Sequence, residues 1–107
     1  MELPSPIRAY FAADDRGDGE ALVQTFAPDA SVDDEGRSHA GRPEIRAWWR
    51  GAKAKYQHVV EPADMFQEAD VTKVRAKVTG QFPGSPVTLT FAFRLEGHQI
   101  AALAISP

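Results

Sequence analysis

The sequence predicts an α+β fold: a cone-like curved antiparallel sheet, with about three helices from the N-terminal half packed across its concave face. Two observations predict it. Apolar residues recur at helical spacing in the first half of the chain, and from His58 to the end they alternate with polar residues, as in strands. Helices followed by a meander of strands is the α+β pattern, in which helices cover one face of a sheet. No linker or repeat divides the 107 residues, so we predict a single domain, 1–107.

Each of the three helices has a start signal. The first opens on Pro4 to Pro6, because proline is favoured in a first turn. Its apolar face has residues spaced i, i+3 and i+4, namely Ile7, Tyr10 and Phe11. Asp18 can cap a second helix, which Pro28 stops. A third helix, from Pro43, carries a wide aromatic face with two consecutive tryptophans.

Alternation of apolar and polar residues predicts the strands. In the segment from Ala30 to Asp34, strand periodicity places Asp34 on the side of Val32 and Asp33 on the other side, and a glycine turn follows. Pro62 interrupts a later strand, which is tolerated only at an edge or a bulge. The last strand, 99–105, is apolar on both faces, so we expect it to be central in the sheet or at an interface.

Composition excludes several classes of function. The net charge is −3 and the lysines and arginines are dispersed, so no nucleic-acid partner is expected. Cysteine is absent, the three histidines show no metal-binding spacing, and no glycine-rich phosphate loop occurs, so we predict neither metal nor cofactor. No apolar stretch approaches the roughly 20 residues that span a membrane, and the N-terminus lacks a signal-peptide pattern. We therefore expect a cytoplasmic protein without membrane contact.

Three polar residues are candidates for a site, each with an ordinary alternative. If Asp34 faces the core, loss of water would raise its pKa toward the range of a useful base, but it could equally form a solvated acidic turn with Asp33 and Glu35. Tyr10 is either a core aromatic or a site residue, since a buried hydroxyl needs a partner. His39 could exchange protons or anchor a ligand beside the acidic strand, or lie in a surface loop.

Two segments, RGDGEALVQTFAPDASVDDEG and HAGRPEIRAWW, resemble the SnoaL-like and ketosteroid isomerase-like branch of the nuclear transport factor 2-like superfamily. The resemblance covers the layout of the whole chain and, in detail, residues 7–50. It implies that Asp34 stands at the position of the general base and Tyr10 at that of an oxyanion-hole tyrosine. The chain departs from the isomerases at Trp49 and Phe26, where tyrosines are frequent, and at Phe91, where a protonated aspartic acid would stand.

In this architecture the core is partly hollow, and residues facing the helices line the hollow. We predict an apolar pocket for a small apolar molecule. The predicted ligand contacts are Phe26, Trp49, Leu89, Phe91 and Phe93. The outer sheet face, which carries Thr88, Thr90 and Ala92, is less polar than contact with water requires, so we predict a homodimer through this face.

Two functions follow from this interpretation. The first is an enzyme of the isomerase or polyketide cyclase type, in which Asp34 removes a proton from carbon next to a carbonyl while Tyr10 and His39 stabilise the enolate oxygen. The second is a non-catalytic dimeric ligand-binding domain, in which Asp34 points to solvent or is neutralised by a fixed partner such as Arg42. Epoxide hydrolysis, as in another branch of the superfamily, would need an Asp-Arg-Asp cluster, and the sequence offers no clear one.

Overall fold

The computed structural model describes every residue from Met1 to Pro107. The helices are α1 (Ser5–Asp15), α2 (Gly19–Gln24) and α3 (Arg42–Tyr56). The strands are β1 (Phe26–Asp34), β2 (Arg37–Ala40), β3 (Val59–Glu68), β4 (Val71–Thr79), β5 (Val87–Glu96) and β6 (Gln99–Ser106). The α+β class and the three helices of the N-terminal half are confirmed.

Hydrogen bonds and backbone conformation mark the ends of the helices. At the start of α2, Asp18 Oδ1 accepts a hydrogen bond from the Ala21 N–H at 3.0 Å, as the capping prediction required. In the first turn of α3, Glu44 Oε1 accepts from the Ala40 N–H at 2.9 Å. The residue that follows this helix, Gln57, has a φ of 48° in the left-handed region, which is common where a helix stops.

The six strands form one sheet in the order β2-β1-β6-β5-β4-β3. Neighbouring strands are antiparallel except β1 and β6, which run parallel and come from opposite halves of the chain. The two-sided last strand lies inside the sheet, as its apolar faces predicted. Strand β2 was not predicted, because four residues are too few for alternation to be visible.

The edge strand β3 contains the interruption that the sequence placed at Pro62. The register with β4 shifts between Pro62 and Asp64, so the proline sits at an irregularity on an edge strand, where its missing N–H removes no essential ladder bond. The prediction for this position is confirmed.

The core lies between the helices and the concave face of the sheet. Tyr10 and Phe11 of α1 meet the strand β5 aromatics edge to face, with ring centroids 5.5 Å apart for Tyr10 and Phe93 and 5.4 Å for Phe11 and Phe91. Near the start of β5 the aromatic side chains of α1 no longer cover the strand, and Leu89 in this part lines a cavity. No helix in the structure has the length and apolar character needed to cross a membrane.

Candidate functional site

A cavity of about 480 Å³ lies between the concave face of the sheet and helices α1 and α3. Its volume falls within the range of about 300–1,000 Å³ that is usual for small-molecule sites. Most of its wall is apolar, with contributions from both the sheet and α3, namely Ala52, Val60, Val78, Val87, Leu89, Phe91 and Ile105. The cavity therefore suits a mainly hydrophobic molecule of modest size.

Asp34 is the last residue of β1 and lies half-buried in the cavity wall. Its neighbour in the same strand, Asp33, points to the other face and is exposed, because successive strand residues alternate. The indole N–H of Trp48, from α3, donates a hydrogen bond of 3.0 Å to Asp34 Oδ2. No lysine or arginine forms an ion pair with this carboxylate, and Arg42 instead donates to the Phe26 carbonyl at 3.0 Å from Nε.

Burial raises the pKa of Asp34 above its ordinary value of 3.8, and the negative charge of Glu35 adds to the rise. The hydrogen bond from Trp48 and the proximity of His39 lower this pKa but do not outweigh burial. A carboxylate with a raised pKa, one side-chain donor and no fixed cation is a stronger base than a solvated one. Asp34 therefore has the setting of a proton acceptor.

Tyr10 lines the cavity from α1 with 3% of its surface exposed. Its hydroxyl has no hydrogen-bond partner within the chain, yet no fully buried polar side-chain atom lacks one, so this hydroxyl reaches the cavity space. Burial raises the pKa of Tyr10 well above 10.0, and the charges of Asp14 and Asp34 raise it further. The phenol consequently stays protonated and can donate a hydrogen bond to a ligand.

A second buried carboxylate, Asp14, lies one helical turn after Tyr10 with 2% of its surface exposed. Its Oδ1 accepts from Trp49 Nε1 at 2.9 Å, and it lies 3.0 Å from His58 Nε2 and 3.3 Å from Lys53 Nζ. Burial on its own would raise the pKa of Asp14. The hydrogen bonds from His58 and Trp49 and the nearby positive charges outweigh burial, so the net pKa is lowered.

The polar groups at the rim of the cavity bind one another. The exposed carboxylate of Glu35 accepts a hydrogen bond from the Tyr56 hydroxyl at 2.8 Å, joining the end of β1 to the end of α3. His58, at the other end of the Tyr56-Gln57-His58 segment, lines the cavity and reaches Asp14. Polar side chains thus surround an otherwise apolar space.

The structure does not bring all the predicted catalytic residues together. Asp34 and Tyr10 line the same cavity, whereas His39 does not line it. His39 lies in β2 opposite Val32, with its ring centroid 6.2 Å from that of Trp48. It forms no hydrogen bond with Asp34 and acts on the pKa of that carboxylate only through its charge.

The five predicted ligand contacts divide into two groups. Leu89 and Phe91 line the cavity. Phe26, Trp49 and Phe93 do not line it and are core residues with at most 5% exposure. Phe26 and Phe93 pack against the Tyr10 ring, and Trp49 is turned toward α1 and α2, where it contacts Gly19 and Asp14. A molecule in the cavity would not touch these three.

Sequence reasoning missed the cluster around Asp14 and assigned His58 no role. A signal for Asp14 was present: it follows Tyr10 by four residues and Phe11 by three, so a charged residue stood on the apolar face of the first helix. For His58 the signal was its alternation with Val60, which places both side chains on the face toward the helices. No group of three or more acidic or histidine side chains is arranged to hold a metal ion.

Comparison with known proteins agrees with this geometry. A family model for the SnoaL-like domain matches residues 7–103. A candidate polyketide cyclase from Sinorhizobium meliloti is 48% identical, with a TM-score of 0.94 over 97% of this chain and 95% of that chain. A search of curated proteins gave no match.

Two more distant structures share the fold. A protein with a ketosteroid isomerase-like fold from Catenulispora acidiphila, in complex with trimethylamine, is 22% identical, with a TM-score of 0.85 over 99% of this chain and 87% of that one. A candidate polyketide cyclase from Xanthomonas campestris is 19% identical, with a TM-score of 0.77 over 94% and 85%. At these identities the likeness shows the fold alone.

The curved sheet, the helices across it and the apolar cavity define the nuclear transport factor 2-like class of proteins. Within that class, the chain belongs to the SnoaL-like domain family. The sequence resemblance to this branch is therefore confirmed.

Proposed function

We propose that this protein is an enzyme that binds a small hydrophobic carbonyl compound and removes a proton from the carbon next to the carbonyl, with Asp34 as the base. One observation carries the proposal: Asp34 lines the apolar cavity without a cationic partner. A half-buried carboxylate in that setting is costly for a purely structural protein, because its charge is neither fully solvated nor paired with a cation.

Tyr10 supplies the complementary group. Removal of the proton leaves an enolate whose oxygen needs a hydrogen-bond donor. The Tyr10 hydroxyl is open to the cavity, and its raised pKa keeps it protonated while Asp34 is ionised. In this proposal the carbonyl oxygen lies against Tyr10 and the acidic carbon lies against Asp34.

Phe91 bears on the choice between steroid isomerisation and a cyclase-type reaction. In a ketosteroid isomerase the corresponding position would hold a second acidic donor, but here it is an apolar wall residue with 4% exposure. The relative at 48% identity is a candidate polyketide cyclase, and its similarity extends over nearly the whole of both chains. Both observations favour a cyclase-type reaction over steroid isomerisation.

The alternative, a non-catalytic ligand-binding domain, would have Asp34 facing solvent or neutralised by Arg42. Arg42 instead donates to the Phe26 carbonyl, and Asp34 is half-buried in the wall of the cavity. The geometry therefore gives less support to this function than to an enzyme.

The experiment measures deuterium uptake from heavy water into β-tetralone, a small bicyclic ketone, followed by NMR. The wild-type protein is expected to accelerate exchange at the carbon next to the carbonyl. Asp34→Asn keeps the shape of the side chain but removes the base, so we expect a loss of about 10²-fold or more. Tyr10→Phe removes the donor and should cost a similar factor.

Asp33→Asn is the matched control, because Asp33 is an exposed carboxylate one residue away on the other face of β1. This variant should exchange the hydrogens next to the carbonyl of β-tetralone at the wild-type rate. Binding of β-tetralone without exchange would favour the non-catalytic alternative. Equal rates for Asp34→Asn and the wild type would remove Asp34 as the base.

We also propose that the protein forms a homodimer through the outer face of the sheet. Small, uncharged residues occupy adjoining strands of that face, including the cross-strand partners Ala92 and Ala104, and Ala102 beside Ser31. Charged side chains border this area: Arg94 lies opposite Ala102, Asp33 lies beside Ala104, and Arg75 of β4 is bonded to Asp64 at 2.9 Å. A centre of small side chains with a charged border is typical of an interface between copies.

Sedimentation of the wild type and of Ala104→Arg tests this interface. Ala104 is exposed on the outer face, so an arginine there should leave the fold intact and convert a dimer to a monomer. Lys77→Ala, at the charged border, is the control and should leave the dimer in place. A wild-type protein that sediments as a monomer would contradict the proposal.

A further inference from the structure

Among the cavity-lining residues, His58 has no function in the reaction proposed for Asp34 and Tyr10. The rim pair of Glu35 and Tyr56 is satisfied internally, and the Trp48 indole is used by Asp34. His58 Nε2 is bound to Asp14, whereas Nδ1 has no partner within the chain. Since no fully buried polar side-chain atom lacks a partner, Nδ1 is accessible. His58 thus presents one free ring nitrogen.

Asp14 fixes the form of this imidazole. The lowered pKa of Asp14 keeps its carboxylate ionised at neutral pH, and an ionised carboxylate only accepts hydrogen bonds. Nε2 of His58 must therefore carry the hydrogen in the bond of 3.0 Å to Asp14 Oδ1. In the neutral ring the lone pair is then on Nδ1, and in the imidazolium form Nδ1 carries a proton that can be donated.

The surrounding elements hold the pair in place. Trp49 and Lys53, both from α3, bind the same carboxylate oxygen, and Lys53 Nζ also donates to the His58 carbonyl at 2.8 Å. Gly80, the residue after β4, comes so close to His58 that an added Cβ would lie 3.2 Å from His58 Cα. A carboxylate that orients a histidine by one ring nitrogen leaves the other nitrogen available for proton transfer.

We propose that His58, oriented by Asp14, is a second proton-transfer residue of this cavity, and that the substrate carries two carbonyl groups, one enolised at Asp34 and the other protonated at His58. This inference rests on the proposed function of Asp34. It also explains how a cavity whose sheet wall is apolar at Phe91 could serve a ring-closing addition, which needs an acid for the second oxygen.

The C–H bond next to the first carbonyl breaks, and its proton passes to Asp34. Its electron pair forms an enolate, whose oxygen accepts a hydrogen bond from the Tyr10 hydroxyl. The enolate carbon attacks the second carbonyl carbon, so a C–C bond forms as the C=O π bond breaks. The resulting alkoxide takes the proton from Nδ1 of the His58 imidazolium. Asp34 then releases its proton to water, and His58 regains one.

Diacetylpropane, in which three methylene groups join two acetyl groups, provides two readouts in one experiment. Deuterium uptake at its terminal methyl groups reports proton removal by Asp34. Closure to a six-membered hydroxyketone reports the later protonation. For His58→Gln we expect the rate of ring closure to fall about 10²-fold more than the rate of deuterium uptake, because only closure needs the second acid.

His98→Gln is the matched control, since His98 is an exposed histidine in a turn. It should change neither readout. If the wild type exchanges deuterium but His58→Gln closes the ring at the same rate, His58 is not the acid, while Asp34 keeps its function. If Asp34→Asn exchanges as fast as the wild type, the proposed function fails and this inference fails with it.

A spectroscopic measurement tests Asp14 as the positioning residue. In the wild type, ring-nitrogen chemical shifts of neutral His58 should show the proton on Nε2. In Asp14→Asn the amide can donate a hydrogen bond to Nε2, so we expect the ring proton of His58 to move to Nδ1. The rate of ring closure should fall in the same variant. A wild-type ring protonated on Nδ1 would overturn the proposal, whether or not the variants fold.

Discussion

Two consecutive tryptophans of α3 donate their indole N–H groups to two different aspartates. Trp48 bonds Asp34 at 3.0 Å in the cavity wall, and Trp49 bonds Asp14 at 2.9 Å in the core. Adjacent residues of a helix point about 100° apart, so one helix supplies donors to both sides of the site. The pKa values of the two carboxylates nevertheless move in opposite directions, raised for Asp34 and lowered for Asp14.

The difference lies in the number of partners. Burial disfavours the charge of both groups. Asp14 is the more buried of the two by exposed surface, yet it has His58, Trp49 and Lys53 around one oxygen, and these together outweigh burial. Asp34 has a single side-chain donor and an acidic neighbour, so burial prevails. Partners thus decide which carboxylate is a fixed anchor and which can accept a proton.

The largest expected effect concerns Asp14→Ala. This change leaves the Trp49 N–H, Lys53 and His58 without their shared acceptor inside the protein. Breaking a buried pair typically costs about 3–5 kcal/mol, and we expect a loss of this size in the free energy of unfolding measured with urea. The effect should exceed that of any change at Asp34, because Asp34 has only one side-chain partner.

Asp15→Ala is the control for this prediction, since Asp15 is the exposed neighbour of Asp14 on the same helix. It should change the free energy of unfolding by no more than about 0.5 kcal/mol. Similar losses for the two variants would show that the cluster contributes little to stability.

The second prediction displaces Trp49 without touching Asp14. A Cβ added at Gly19 would lie 2.9 Å from Trp49 Cζ3 and 3.1 Å from Cε3, too close for normal contact. Gly19→Ala should therefore push the ring away from Asp14 and lower the free energy of unfolding by about 1–3 kcal/mol. Deuterium exchange into β-tetralone, which depends on Asp34, should continue, because Trp48 is not moved.

Gly51→Ala is the opposite case within the same aromatic helix. A Cβ there meets no atom within 4 Å, so the change only improves helix propensity. It should raise the free energy of unfolding by up to about 1 kcal/mol. A loss of stability at Gly51 similar to that at Gly19 would show that contact with Trp49 is not the cause.

Much of the fold could be predicted because it depends on local patterns. The proline starts, the Asp18 cap and the alternation from His58 onward each act within a few residues, and the elements they predict are present. Strand alternation likewise separated Asp34 from Asp33. The parallel pairing of β1 with β6 depends on contacts distant in sequence, which no local pattern carries. The short strand β2 pairs with β1 across a tight turn, with Arg37 opposite Asp34, but four residues are too few for alternation to be visible.

The site was less predictable for the same reason. Asp14 and His58 are 44 residues apart, and only the packing of α1 under β3 and α3 brings them together. Apolar residues posed a different difficulty: Phe91 and Phe93 share one sheet face and the same alternation, yet one lines the cavity and the other is sealed by α1. Which part of a concave face stays uncovered is set by where the helices end.

The third prediction concerns the single side-chain donor of Asp34. Trp48→Phe keeps the aromatic ring but removes the N–H that lowers the pKa of Asp34, so this pKa should rise further. The loss of one hydrogen bond to a half-exposed carboxylate should reduce the free energy of unfolding by about 1 kcal/mol. In the β-tetralone assay, the pH at which exchange reaches half its maximum should shift upward, whereas Trp49→Phe should not produce this shift.

The smallest effect is a dependence on pH with opposite signs at the two aspartates. A pKa raised in the folded state means that Asp34 favours folding below its ordinary value of 3.8 and loses that contribution as pH rises through the folded pKa. Asp34→Asn should therefore gain stability relative to the wild type between acidic and neutral pH. For Asp14, whose pKa is lowered, the contribution is present above 3.8 and is lost as pH falls through the folded pKa. Asp14→Asn should accordingly lose stability relative to the wild type as the pH rises toward 3.8, whereas the relative gain of Asp34→Asn comes above 3.8. Urea unfolding at a series of pH values measures both, and curves of the same sign would contradict the assignment of the two carboxylates.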